Sequence, residues 1–217
     1  MQRRSVIRLG PVETDLRAAV LALAFLAGLL ALAVVVAADI PAFDLPVLRQ
    51  FERLRDTALW PVLNGLNLVG YPAVWDTAVV AIALVLAVQL RRRNPILLPV
   101  GLFLAEALTV GAKLVLDRSR PSGVIIQDLV TPASFPSGHV VRVVVTVWLA
   151  LLFAWPWLQR RGLALPAAVG AIALSALIGT ARMAAGEHWP SDVLGAYLLS
   201  GAFVSAVAAV SSRGSSS

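Results

Sequence analysis

The chain contains two histidines, His139 and His188, and each stands among residue types that handle phosphate. Asp192 follows His188 by four residues, close enough for its carboxylate to bond one ring nitrogen and leave the other as a nucleophilic lone pair. His139 directly follows Ser137 and Gly138 at the head of an apolar run. A helix starting there directs backbone N–H groups and the positive end of its dipole at an anion. Gly138, lacking a side chain, lets that anion approach the backbone closely. Ser137 also suits the N-cap of the same helix, a role compatible with holding phosphate. Lys113, the single lysine, adds positive charge together with Arg120 and Arg182, and each guanidinium can grip two oxygens at once. Two histidines in such a setting can divide the work, one as nucleophile and one as general acid.

Taken singly, either histidine would more often be a core or interfacial residue satisfied by a carbonyl. The three cations, taken singly, would snorkel to lipid headgroups, and Asp192 would be a first-turn acid favoured by a helix dipole. Their joint grouping is what favours chemistry.

These residues must be held by a membrane scaffold. Of 217 residues, 59% are apolar and 14% charged, against roughly 25% charged in a soluble domain. Six apolar runs, at about 17–38, 73–90, 95–116, 138–158, 163–181 and 191–211, each approach the ~20 residues that cross a bilayer as a helix. Between the first two, Leu45, Leu48, Phe51 and Leu54 are spaced as the apolar side of an amphipathic helix at the interface, with Arg49, Arg53 and Arg55 opposite. The predicted fold is an all-α bundle of six transmembrane helices plus this interfacial helix. It forms a single domain over 1–211, followed by a disordered tail at 212–217. The first run is longer than the usual apolar core of a signal peptide, so it is expected to remain as a helix.

The net charge of +6 raises nucleic-acid binding, but 17 of the 18 basic residues are Arg and many sit in clusters at the ends of apolar runs. Arg3, Arg4 and Arg8, then Arg91 to Arg93, then Arg160 and Arg161 read as cytoplasmic topology signals rather than a stripe that tracks a nucleic acid. That assignment puts both termini on the cytoplasmic side and segments 39–72, 117–137 and 182–190 outside, and the membrane is expected to be a bacterial inner membrane. The phosphate-suited residues then share the outer face. Cysteine is absent, which excludes disulfides and thiolate metal sites.

The spacing of Lys113, Arg120 and Pro121, then Pro136, Ser137, Gly138 and His139, then Arg182, His188 and Asp192 resembles the three motifs of the type 2 phosphatidic acid phosphatase superfamily, in order. The resemblance covers residues 113–192 and uses both histidines. It implies hydrolysis of a lipid phosphate or diphosphate through a phosphohistidine, without a metal or other cofactor. On that reading His188 attacks phosphorus with Asp192 orienting its ring, and His139 protonates the leaving oxygen. Lys113, Arg120, Ser137, Gly138 and Arg182 stabilise the phosphoryl oxygens. Undecaprenyl pyrophosphate, phosphatidylglycerol phosphate and phosphatidic acid are the substrates this resemblance favours. One position departs from the family pattern, Ala181 standing where a serine is usual.

Three residues lie outside those motifs. Arg142 falls one turn beyond His139, and Glu106 two turns before Lys113. Ionised groups at that depth are costly when isolated, so they are expected to pair, or Arg142 to reach the substrate as an auxiliary. Asp117 is expected to anchor its loop or pair with Arg118. A phosphotransferase built on the same site, or a non-catalytic anion-binding transporter or scaffold, are the alternative functions. The latter is disfavoured by the lack of an internal repeat.

Overall fold

Runs of some twenty apolar residues become helices because hydrocarbon offers no partner to a backbone N–H or C=O, which must be satisfied within the segment. The computed structural model describes residues 11–69, 72–90, 95, 97–121 and 132–213. All regular structure among them is helical: α1 (Pro11–Ala38), α2 (Asp44–Glu52), α3 (Trp60–Val69), α4 (Pro72–Leu90), α5 (Leu97–Leu116), α6 (Gly138–Arg160), α7 (Ala164–Ala184) and α8 (Pro190–Arg213). Five stretches, Leu16–Ala38, Leu97–Leu116, Gly138–Arg160, Ala164–Ala184 and Pro190–Ser211, are long and apolar enough to cross a membrane. Among the described residues no sixth stretch meets that measure; α4, 19 residues long, contributes the apolar Trp75–Leu90. The chain is an all-α, polytopic integral membrane protein.

α6 lies at the centre, in contact with α4, α5, α7 and α8. Its Val140, Val141, Val143, Val145 and Leu149 are buried against Val79 of α4, Leu98 and Leu102 of α5, Ile178 of α7 and Val193 of α8. The indole N–H of Trp75 donates to Thr146 Oγ1 at 3.1 Å, so the polar atoms in this core satisfy one another. α1 runs along α8, with Phe25 over Gly201 and Leu198 over Gly28. Outward-facing Leu23, Val34, Leu84, Val88, Val115, Leu165 and Ile172 are exposed, as side chains in contact with lipid tails would be.

Segment 39–72 differs from the expected single interfacial helix. α2 ends at Glu52, a 3₁₀ turn spans Arg53–Asp56, and α3 follows. Leu48 is buried but Leu45 is exposed, and α2 packs on α7 and α8. Arg55 does not face away from this packing: its Nε donates to the Ala184 carbonyl at 2.5 Å, at the end of α7. α8 continues through Arg213, two residues into the stretch 212–217 expected as a tail, and residues 214–217 lie outside the described residues. The Arg3–Arg8 and Arg91–Arg93 clusters lie outside the described residues. Arg160 and Arg161 sit at the α6–α7 turn, where the Arg161 guanidinium stacks 4.4 Å from the Trp157 ring.

Both α6 and α7 end in a glycine turn. Gly162 has φ 72° and Gly186 φ 67°. At α7 the N–H of Gly186 donates to Met183 and that of Glu187 to Arg182, which closes the helix and turns the chain sharply towards His188. A Cβ at Gly186 would meet only the flexible end of Arg55, with Nη2 at 2.5 Å, so it is the left-handed conformation that calls for glycine. This turn fixes the short link between α7 and α8 against the 3₁₀ turn.

Candidate functional site

α5 to α8 run alternately up and down, so the end of α5, the start of α6, the end of α7 and the start of α8 meet at one end of the bundle. The Arg160–Arg161 turn is at the other. Lys113, Arg120 and Arg182 do not snorkel; they are 4%, 8% and 3% exposed. Lys113 Nζ donates to the Ala133 carbonyl. Arg120 reaches the Pro132 carbonyl through Nε (3.0 Å) and the Glu187 carbonyl through Nη1 (3.1 Å). Arg182, in the last turn of α7, donates to Asn67 Oδ1 at 3.4 Å and to the Glu187 carboxylate.

His188 sits between a donor and a carboxylate. Its Nε2 lies 3.2 Å from Arg120 Nη1, and its Nδ1 lies 3.3 Å from Asp192 Oδ2. A guanidinium only donates, so Nε2 is the accepting nitrogen and the ring proton belongs on Nδ1, facing Asp192. Asp192 Oδ2 is held in turn by the backbone N–H of Trp189 at 2.9 Å. Burial first, then the positive charges of Arg182, Arg120 and Lys113, hold the His188 pKa well below its ordinary 6.5. The ring is therefore neutral at pH 7 and its Nε2 lone pair faces the cationic residues.

His139 occupies the first turn of α6, half-buried, within electrostatic range of Arg182, His188, Arg142 and Arg120. Ser137 precedes the helix in extended conformation, at φ −69° and ψ 109°, but its side chain makes no capping bond. Its Oγ is buried and has no hydrogen-bond partner among the described residues. The expected anion site needs one correction: the Ser137 N–H is already engaged, donating to the Asp192 carbonyl at 3.2 Å. A Cβ on Gly138 would meet nothing nearer than Thr109 Cγ2 at 3.9 Å, so the space beside this glycine is not filled by a neighbouring side chain.

Arg142 Nε donates to Glu106 Oε1, an ion pair joining α6 to α5 at depth. Arg118 corrects another expectation, because its guanidinium does not pair with Asp117. It lies between Asp44 and Asp192, with Nη2 2.6 Å from Asp44 Oδ2 and Nη1 2.5 Å from Asp192 Oδ1. Asp117 is exposed and has φ 36°, in the left-handed region, where the chain leaves α5. Ala181 is buried with Leu63 and Ala184 against α3.

Sequence reasoning missed Asp44 and Asn67, and it placed Glu187 and Arg118 near the site without the roles they have here. Among the described residues no cluster of His, Asp and Glu is arranged to hold a metal ion.

Two histidines, three long cations and an unengaged serine hydroxyl thus meet at one buried end of the membrane bundle. Residues 94–214 match the PAP2 superfamily, and the chain belongs to that superfamily. Its fold is similar to that in a crystal structure described as the first transmembrane PAP2 type phosphatidylglycerolphosphate phosphatase from Bacillus subtilis. That similarity has a TM-score of 0.57 and 19% identity over 95% of each chain. No curated protein sequence matches.

Proposed function

We propose that this protein is a phosphatase of membrane lipid phosphates that works through a phosphohistidine, with its site on the outer, periplasmic side. The observation that carries this reading is the placement of His188, Nδ1 on Asp192 and Nε2 towards Arg120. The Nε2 lone pair attacks phosphorus and the bond from phosphorus to the lipid oxygen breaks. His139 gives that oxygen its proton and then takes one from the water that attacks the phosphohistidine, releasing inorganic phosphate. Lys113, Arg120, Arg182, the Ser137 hydroxyl and the backbone at Gly138 hold the equatorial oxygens as charge redistributes. The phosphate takes the place of Glu187 on the Arg182 guanidinium. Asp192 keeps the His188 ring in the attacking tautomer and stabilises the cationic ring that forms.

The lipid tail stays among the exposed apolar helix faces while the headgroup enters between the helix ends. Six spans are retained by counting α4, 19 residues long, as the sixth, and residues 1–211 form one domain. Substrates favoured are undecaprenyl pyrophosphate or a glycerophospholipid phosphate such as phosphatidylglycerol phosphate or phosphatidic acid. The test is a panel of these lipid mono- and diphosphates given to the purified protein in EDTA. Metal-independent release of phosphate from at least one is the expected result, and a strict requirement for a divalent cation sinks the histidine route.

The low His188 pKa predicts the shape of the pH profile. A folded-state pKa below the unfolded 6.5 means that lowering the pH protonates the unfolded chain before the folded site. Activity is therefore expected to persist well below pH 6.5, while the stability due to neutral His188 declines as pH falls through that range. An acid limb of kcat/KM at or above 6.5, after correction for the substrate's own ionisation, would contradict the assigned protonation state.

A further inference from the structure

Asp44 belongs to none of the three motifs and stands before the segment that matches the superfamily. It is nonetheless fully buried, at the first position of α2. Its Oδ1 accepts from the Ser191 N–H at 2.8 Å. Its Oδ2 accepts from the Ser191 hydroxyl at 2.5 Å and from Arg118 Nη2 at 2.6 Å. The other arm of Arg118, Nη1, donates to Asp192 Oδ1 at 2.5 Å and to Ser191 Oγ at 2.7 Å. The Arg118 guanidinium also lies 5.6 Å from the centre of the Trp189 ring, which restricts its sideways movement. A continuous chain of polar contacts thus runs from Asp44 through Arg118 and Asp192 to His188.

We propose that Asp44 is a positioning residue for the reaction at His188, acting through Arg118 on the Asp192 carboxylate. The inference rests on the phosphohistidine reading. Asp44, Arg118 and Asp192 carry two negative charges against one positive charge. With Asp44 in place, the guanidinium is shared, and Asp192 keeps negative potential for the ring that becomes cationic on phosphorylation. Without it, Arg118 would serve Asp192 alone, neutralise it and be free to draw its carboxylate away from Nδ1. A purely mechanical brace between α2 and α8 would not need a charged path to the nucleophile, and three desolvated ions are a costly way to build one.

The experiment compares wild-type, Asp44→Asn and Asp44→Glu full-length protein. It measures kcat and KM on one lipid phosphate, with kcat referred to the monodisperse folded fraction so that a poor yield cannot pass for a slow enzyme. Asp44→Asn is expected to lower kcat by about 10- to 100-fold, the range typical of residues that orient a reacting group from behind, and to leave KM largely unchanged. Asp44→Glu, which restores the charge, is expected to recover part of the loss. In an Arg118→Gln background, Asp44→Asn is expected to add little further loss, because the path is already cut. Unchanged kcat per folded molecule, equal losses in Asn and Glu, or fully additive losses with Arg118→Gln each overturn the inference. Wild-type turnover lost in His188→Ala tests the phosphohistidine reading separately, whatever the Asp44 variants do.

Discussion

Replacing His188 with alanine is expected to abolish phosphate release from a lipid phosphate, by on the order of 10⁴-fold or more. The expectation follows from the covalent step. With the imidazole gone, Arg120 and the other cations still hold a phosphate, but no group remains to attack phosphorus. Substrate binding should persist, and a non-hydrolysable phosphonate lipid should bind the variant within a few-fold of wild type. The assay is phosphate release in EDTA beside phosphonate binding, on protein shown to be monodisperse. Removing a fully buried side chain also leaves a cavity, so His188→Asn, nearer in size and still polar, serves as the second variant. Retained turnover in both would place the chemistry elsewhere.

The second large effect concerns the leaving group. A lipid alkoxide departs poorly unless protonated, whereas an aryl oxide departs readily. His139→Gln should therefore slow an alkyl lipid phosphate by about 10²- to 10⁴-fold, the usual contribution of a general acid. An aryl phosphate should lose far less in its phosphorylation step, measured as the burst of phenol release. The subsequent hydrolysis of the phosphohistidine should slow for both, because the same ring then activates water. Equal losses in the burst for alkyl and aryl substrates would assign His139 to binding rather than to proton transfer. Because His139 is only half-buried, at the head of α6, its replacement is expected to perturb folding less than that of His188.

The motif residues were legible because a membrane span makes an ionisable side chain conspicuous. Lys113, His139 and Arg182 stand within or beside apolar runs, and their spacing carried the rest. Helix positions were legible for the same reason: α5 to α8 fall within a few residues of the runs that predicted them. Asp44 gave no such signal. In sequence it is one acid among many polar residues of segment 39–72, and a first-turn helical acid explains it locally. Only the packing of α2 on α8, across 147 positions, turns it into a buried anion. Arg118 was obscured by Asp117 beside it, an apparent partner whose left-handed backbone carries its side chain to solvent instead. Glu187 and Asn67 are revealed by the turn at Gly186 and by α3, neither of which has a periodic pattern that points at Arg182.

The pairing of α1 with α8 bears on where the working unit begins. The segment that matches the superfamily starts at residue 94 and already contains every motif side chain. Yet the face of α8 around Leu198 and Gly201 is covered by Gly28 and Phe25 from the opposite end of the sequence. The helix that carries Asp192 is therefore seated by the first helix of the chain. During biosynthesis α8 would emerge after α1 and dock against a partner already in the bilayer, so the helix that carries Asp192 is seated only once α1 and α8 have met.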